Sequence, residues 1–206
     1  MVYVLFADGF EEVEALYPID ILSRGGLNIR KISVTGDRTV VGTHGIAVVT
    51  DSLLDGIGDD IELLFLPGGM PGAATLDALP EMDALIEKTL RCGGRVGAIC
   101  AAPMVLGKRG YLCGKNAVCY PGFEKFLTGA RLSKERVVTD GVFTTAVGMG
   151  AAGELGLALL ALLRGTESAE RVMDGAFIAI PDCCEAETLT PTACKDGKIK
   201  FEGVEK

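Results

Sequence analysis

Short apolar runs alternate with amphipathic stretches along most of the chain. The runs "VYVLF" (2–6), "NIRKISV" (28–34), "GIAVVTD" (45–51), "IELLFLPGG" (61–69) and "RVGAIC" (95–100) read as strands. Between them, "EEVEALYPIDILSRGG" (11–26) and "PEMDALIEKTLRCGG" (80–94) carry helical spacing, and each closes on paired glycines suited to a C-terminal cap. Near-continuous apolar strands separated by helices predict a mainly parallel sheet covered on both faces. Right-handed crossovers then make the fold class α/β, a three-layer sandwich. Further on, "RVVTDGVFTTA" (136–146) sets Asp-Gly between two β-rich runs, the signal of a tight hairpin. "GAAGELGLALLALLRG" (150–165) predicts a strongly apolar helix against the sheet. The pattern changes over 179–206, which has two prolines, mixed charges and another Asp-Gly turn candidate. The expected organisation is one domain over 1–178 and a C-terminal tail or docked hairpin over 179–206.

Composition narrows the function classes. The 206 residues carry a net charge of -8 with no Lys/Arg cluster, which argues against nucleic acid and anionic membranes as partners. No apolar run approaches the roughly 18 residues that span a bilayer. The start "MVYVLFADGF" lacks a basic n-region, so a soluble cytoplasmic protein is expected. Seven cysteines, an odd number, do not suggest a secreted disulfide framework. With no C-x-x-C pair and a single histidine, His44, far from them in sequence, no metal site is expected.

One cysteine stands apart. Cys100 falls where a strand gives way to a helix, at the carboxyl end of a central strand, where open α/β sheets collect ligands. A sharp strand-to-helix turn exposes a nucleophile and needs small neighbours, which Ala98 and Ala102 supply. The free N–H groups of the following helix are expected to favour thiolate over thiol. A small buried core thiol fits the position as well. Gly68 and Gly69, in "FLPGGMPGA" (65–73), can bring backbone N–H groups close to a ligand, or form a plain tight turn. In "FADGFEEVEAL" (6–16), Asp8 is a candidate helix cap, and Glu11 and Glu12 suit the first turn. Glu14 shares a helix face with Phe10, Tyr17, Pro18 and Ile21. A carboxyl in such surroundings has a raised pKa and can serve as acid and base, unless the face is partly exposed.

Together these three stretches, in this order and spacing, resemble the ThiJ/PfpI superfamily, and within it the branch of the Parkinson-associated protein deglycase and its bacterial relatives. The likeness runs from about residue 1 to about residue 178. It implies a flavodoxin-like sandwich with a nucleophile elbow, and a homodimer. It further implies Cys100 as the reactive cysteine, Glu14 as its partner carboxylate, and Gly69 with Ala101 as backbone donors, beside Gly68. Three departures matter. Protease-type and amidotransferase members pair the cysteine with histidine, whereas Ala101 follows here and no histidine comes after His44, which disfavours a Cys-His peptidase. Where deglycase-branch members often carry a histidine before proline, this chain has Tyr120, a poor proton shuttle with a phenolic pKa of about 10. The family's Arg-Gly-Pro-Gly-Thr reads "VGMGA" (147–151), which puts anion binding at that loop in doubt. His44 aligns near the dimer interface of relatives and is a candidate to reach the partner's pocket.

Three functions follow from the resemblance. The first is a cofactor-independent glyoxalase or deglycase, acting on a small aldehyde or on early adducts of protein side chains. The second is a redox sensor or chaperone that uses oxidation of Cys100 to the sulfinate. The third, the thiamine-pathway role for which part of the family is named, ranks last because no P-loop-type glycine loop occurs.

Overall fold

The computed structural model describes residues 1–179 and the backbone of two short strands beyond them. The chain opens with β1 (Val2–Phe6), α1 (Glu12–Arg24) and β2 (Ile29–Ser33). A two-stranded antiparallel flap follows, β3 (Thr39–Val41) with β4 (Ala47–Val49), and then β5 (Ser52–Leu53). Next come β6 (Leu63–Leu66), α2 (Gly72–Ala78), α3 (Met82–Arg91), β7 (Arg95–Ile99) and α4 (Pro103–Lys108). The small pair β8 (Asn116–Ala117) and β9 (Arg131–Leu132) precedes the hairpin of β10 (Val137–Asp140) and β11 (Phe143–Ala146). Two helices, α5 (Ala152–Arg164) and α6 (Thr166–Gly175), complete the domain.

Seven strands form the main sheet in the order β10-β11-β7-β6-β1-β2-β5, and every neighbouring pair is parallel except β10 with β11. The inner order β2-β1-β6-β7-β11 is the flavodoxin-like doubly wound pattern, whose switch point falls between β1 and β6.

Strand alternation divides the core into two layers. On β1, Tyr3 and Leu5 face Leu76 of α2, Met82 and Ile86 of α3, and Val105 of α4. Val2, Val4 and Phe6 face Ile21 and Leu22 of α1, Leu155 and Leu159 of α5, and Val172 of α6. Because both faces are covered, the inner strands are apolar throughout rather than alternating. Helices α1 and α5 approach closely at glycines. A Cβ on Gly156 would lie 2.9 Å from Ile21 Cδ1 and 3.1 Å from Pro18 Cα.

Two expectations need correction. The run 45–51 is not a strand of the main sheet, since Ala47–Val49 pairs with Thr39–Val41 and the edge position beside β2 goes to Ser52–Leu53. The flap buries Val40 but little else, and it is held by the β1–α1 loop, where Gly9 N donates to Val41 O at 2.8 Å. Asp8 does not cap α1. Its Oδ1 accepts from Val41 N at 2.9 Å, and Glu11 caps the helix, its Oε2 accepting from Glu14 N at 2.6 Å. Helix α6 went unread because Gly165, at φ 87°, looks like an end when it is a hinge between two helices. In the tail, β12 (Thr192–Ala193) and β13 (Ile199–Lys200) pair antiparallel; the rest of the tail, with Cys183, Cys184 and Cys194, lies outside the described residues.

Gly156→Val places branched carbons where α1 and α5 touch, and overpacking of this kind costs about 1–3 kcal/mol. Urea denaturation should show a lower midpoint at unchanged slope. An unchanged midpoint would mean that the helices separate freely.

Candidate active site

Three consecutive strands of the sheet, β1, β6 and β7, deliver one element each to the same place. Glu14 follows β1, Gly68 follows β6 and Cys100 follows β7, all at the carboxyl edge beside the switch point. Cys100 has φ 63°, a left-handed conformation that few residues other than glycine adopt. Its surroundings hold it there. Cys100 N donates to Ala146 O at 2.9 Å, Cys100 O accepts from Tyr120 N at 2.8 Å, and Ala102 N closes the turn on Ile99 O at 3.0 Å. Ala98 and Ala102 are fully buried against it. Gly68 is needed for space, since a Cβ there would stand 2.6 Å from Cys100 Cβ and 2.8 Å from Ile99 O, and would also strike Glu14 Oε2.

Glu14 sits in the first turn of α1 and is 1% exposed. The Cys100 thiol and the Gly68 and Met149 N–H groups draw its pKa down, and the Glu11 charge raises it. Yet Oε2 has no hydrogen bond of good geometry and no contact with solvent. Burial prevails and pushes Glu14 up to about 7. Cys100 is pushed up to about 12, first by burial and then by the Glu14 charge, against the Gly69 and Ala101 N–H groups that face the sulfur. This corrects the expectation of a thiolate favoured by the following helix. That helix is only six residues long and starts at Pro103, so its dipole is outweighed by burial and by Glu14. The two titrations are coupled, the Glu14 charge helping burial to keep the proton on the sulfur.

The other candidates separate. Gly69 and Ala101 present N–H groups to Cys100, whereas the Gly68 N–H faces Glu14. Tyr120 stands at the rim, its Cδ2 3.3 Å from where a Gly148 Cβ would be, with Glu14 Oε1 3.8 Å from the same point. His44 does not approach Cys100 within its own chain. Its Nδ1 meets Glu12 Oε2 at 2.8 Å and its backbone N donates to Glu12 Oε1 at 2.7 Å. Burial raises Glu12, but the His44 hydrogen bonds outweigh it and hold the carboxyl below its ordinary value. The sequence placed Glu12 in the first turn of α1 as a structural carboxylate; its partner, the flap that closes over that side chain, carries no local signal. Glu11, Glu12 and His44 are the residues that could hold a cation, but both Glu12 oxygens are already engaged by His44. Cys92 and Cys113 are exposed, and Cys119 is buried, its thiol raised to about 11 by burial. A surface depression of about 380 Å³ lies by Arg24 and Arg171, at the far end of α1 from the reactive pair.

A cysteine held left-handed at a strand-to-helix turn, beside a buried carboxyl on a doubly wound sheet, defines a class of nucleophile-elbow α/β proteins. Within it, the profile of the DJ-1/PfpI family matches residues 1–162. The chain belongs to that family. It is 37% identical over 192 residues to protein DJ-1 homolog B of Arabidopsis thaliana, covering 92% of this chain but 44% of the plant protein, so it spans under half of that relative's length. It is 30% identical over 172 residues to the glutathione-independent glyoxalase DJR-1.2 of Caenorhabditis elegans, covering 82% of this chain and 91% of that one. The crystal structure of Drosophila melanogaster DJ-1beta superposes with a TM-score of 0.82 at 30% identity, over 87% of this chain and 98% of that one.

A carboxyl raised from its ordinary 4.5 to about 7 binds its proton more tightly in the folded chain. Its contribution to stability is therefore whole below about pH 4.5 and is lost as pH rises through 7. Glu14→Gln should raise the denaturant midpoint at pH 8 and much less at pH 5, by an amount on the order of 1–3 kcal/mol. Equal midpoints at pH 8 would show that Glu14 ionises without penalty. Gly68→Ala should slow iodoacetamide alkylation of Cys100 at least about tenfold by displacing the elbow, and an unchanged rate would refute the spatial role of Gly68.

Proposed function

We propose that the chain is a cofactor-independent glyoxalase, converting 2-oxoaldehydes such as methylglyoxal to 2-hydroxy acids. The observation that carries this reading is the contact itself: the Cys100 thiol hydrogen-bonds a carboxyl, Glu14, that burial pushes up to about 7, where it can both take and give a proton. The Cys100 thiolate adds to the aldehyde carbon while the Glu14 carboxyl gives its proton to the aldehyde oxygen, forming a hemithioacetal. Glu14, now a carboxylate, takes the proton from that carbon and returns it to the neighbouring one, while the hydroxyl proton of the first carbon passes to the oxygen of the second. The product is a 2-hydroxyacyl thioester on Cys100. Water releases the acid and restores the thiol, so the oxidation of one carbon and the reduction of the next balance without an outside reagent. Gly69 and Ala101 N–H groups steady negative charge at the sulfur. The same residues suit removal of early aldehyde adducts from protein side chains. The named activity of the nematode relative supports this reading.

The assembly that goes with it is a homodimer. Val13 and Tyr17 of α1 and Ile46 of the flap are large, apolar and exposed, and they line one shallow depression with Leu16. Among the described residues no helix is long and apolar enough to cross a membrane.

Methylglyoxal consumption with lactate detection, without glutathione or added metal, tests the reaction. Cys100→Ser and Glu14→Gln should each lower turnover by about 100-fold or more. Wild type that makes no lactate, yet oxidises selectively at Cys100 to the sulfinate, would transfer the site to the sensor reading. Light scattering should give a dimer for the wild type and a monomer for Val13→Asp with Ile46→Asp; a monomeric wild type overturns the dimer.

A further inference from the structure

The mouth of the site is apolar to a degree that a two- or three-carbon aldehyde does not require. Three large side chains stand exposed on the segments that supply its backbone groups: Met70 at 47%, Tyr120 at 50% and Met149 at 54%. Met70 follows Gly69, whose N–H faces the sulfur. Met149 carries the N–H that faces Glu14. Tyr120 holds the Cys100 carbonyl through its own N–H, and its ring packs on Gly148 above Glu14. Covering the exposed half of each of these side chains removes apolar surface from water and is favourable.

Charge at the mouth points the same way. Glu11 adds a second carboxylate near Glu14. The Arg136 guanidinium, which reaches the 147–151 loop, is bound to Glu154 at 2.7 Å and to the Gly150 carbonyl. Its charge is therefore already paired within the chain. An anionic substrate would meet like charge, whereas an apolar body attached to the carbonyl would cover the rim.

Resting on the reaction proposed above, we infer that this site prefers neutral 2-oxoaldehydes with an aromatic or branched apolar body over methylglyoxal and over anionic analogues, with the Tyr120 ring as the main specificity-determining surface. The phenol oxygen is not needed for this role. Recognition comes from the face of the ring and the two thioethers, which adapt to the shape of the substrate.

Relative kcat/KM values for phenylglyoxal, 4-carboxyphenylglyoxal and methylglyoxal test the inference. Phenylglyoxal should exceed methylglyoxal by roughly tenfold or more, and the carboxylated analogue should lose that advantage. Tyr120→Ala and Met149→Ala should each reduce the phenyl-to-methyl ratio several-fold, while Tyr120→Phe should preserve it. A second assay needs no turnover: 1-phenyl-1,2-propanedione should protect Cys100 from iodoacetamide at lower concentration than 2,3-butanedione. A phenyl-to-methyl ratio near or below one overturns the inference whatever the absolute rates, and the apolar rim is then a contact surface for another chain. If no aldehyde is turned over, the proposed reaction falls and the protection assay alone decides, equal protection by the two diones overturning the preference.

Discussion

Cys100 and Glu14 meet across a position that has no side chain. A Cβ on Gly68 would overlap both of them, so the contact between thiol and carboxyl depends on glycine standing two residues past the end of β6. Much of the surrounding architecture serves to hold that contact. The parallel register of β1, β6 and β7 sets the three segments side by side, and the hydrogen bonds of the Cys100 backbone to Ala146 and Tyr120 fix a left-handed turn that the residue would not adopt alone. Helix α1 is pinned from behind by α5, through the glycine contacts that let the two helices approach. A shift of one helix would therefore be felt at the reactive pair.

Burial sets the chemistry of that pair and also limits it. Both groups bind protons more tightly than they would in water, which works against a permanently ionised thiolate. In the proposed reaction the sulfur gives its proton to the adjacent carboxyl as it attacks, so nucleophile and acid arise in one step. Glu12 shows the contrast: also closed to solvent but set less deeply in the protein, its carboxyl is held below its ordinary value by hydrogen bonds from the flap, and it serves as an anchor rather than an acid.

Much of this was legible before any coordinates. The apolar runs of β1, β6 and β7 are buried on both faces and stand out as strands, and the helical spacing that set Glu14 among Phe10, Pro18 and Ile21 is local, so periodicity reports it. The flap was misread for the opposite reason. "GIAVVTD" has strand composition, but its partner is decided by a long-range choice between the main sheet and Thr39–Val41, which no local pattern encodes. The capping of α1 failed similarly: Asp8 has the right chemistry for a cap, yet the flap's Val41 N–H claims it and leaves the task to Glu11. The Cys100 ionisation was misjudged because helix length and the Glu14 charge act through space.

The rim illustrates where sequence reading loses its hold. Met70, Tyr120 and Met149 come from three loops separated by 50 and 29 positions, and none of them lies in a periodic segment. Only the sheet order brings them to one mouth. Loops placed by a rigid scaffold can change their side chains without disturbing the core, so a fold that fixes Cys100 and Glu14 leaves the surface around them free to vary. Under the reaction and preference proposed above, reaction type and substrate choice are set by different parts of the molecule. The first resides in the strand ends and the glycine between them, the second in exposed residues whose replacement leaves the elbow intact.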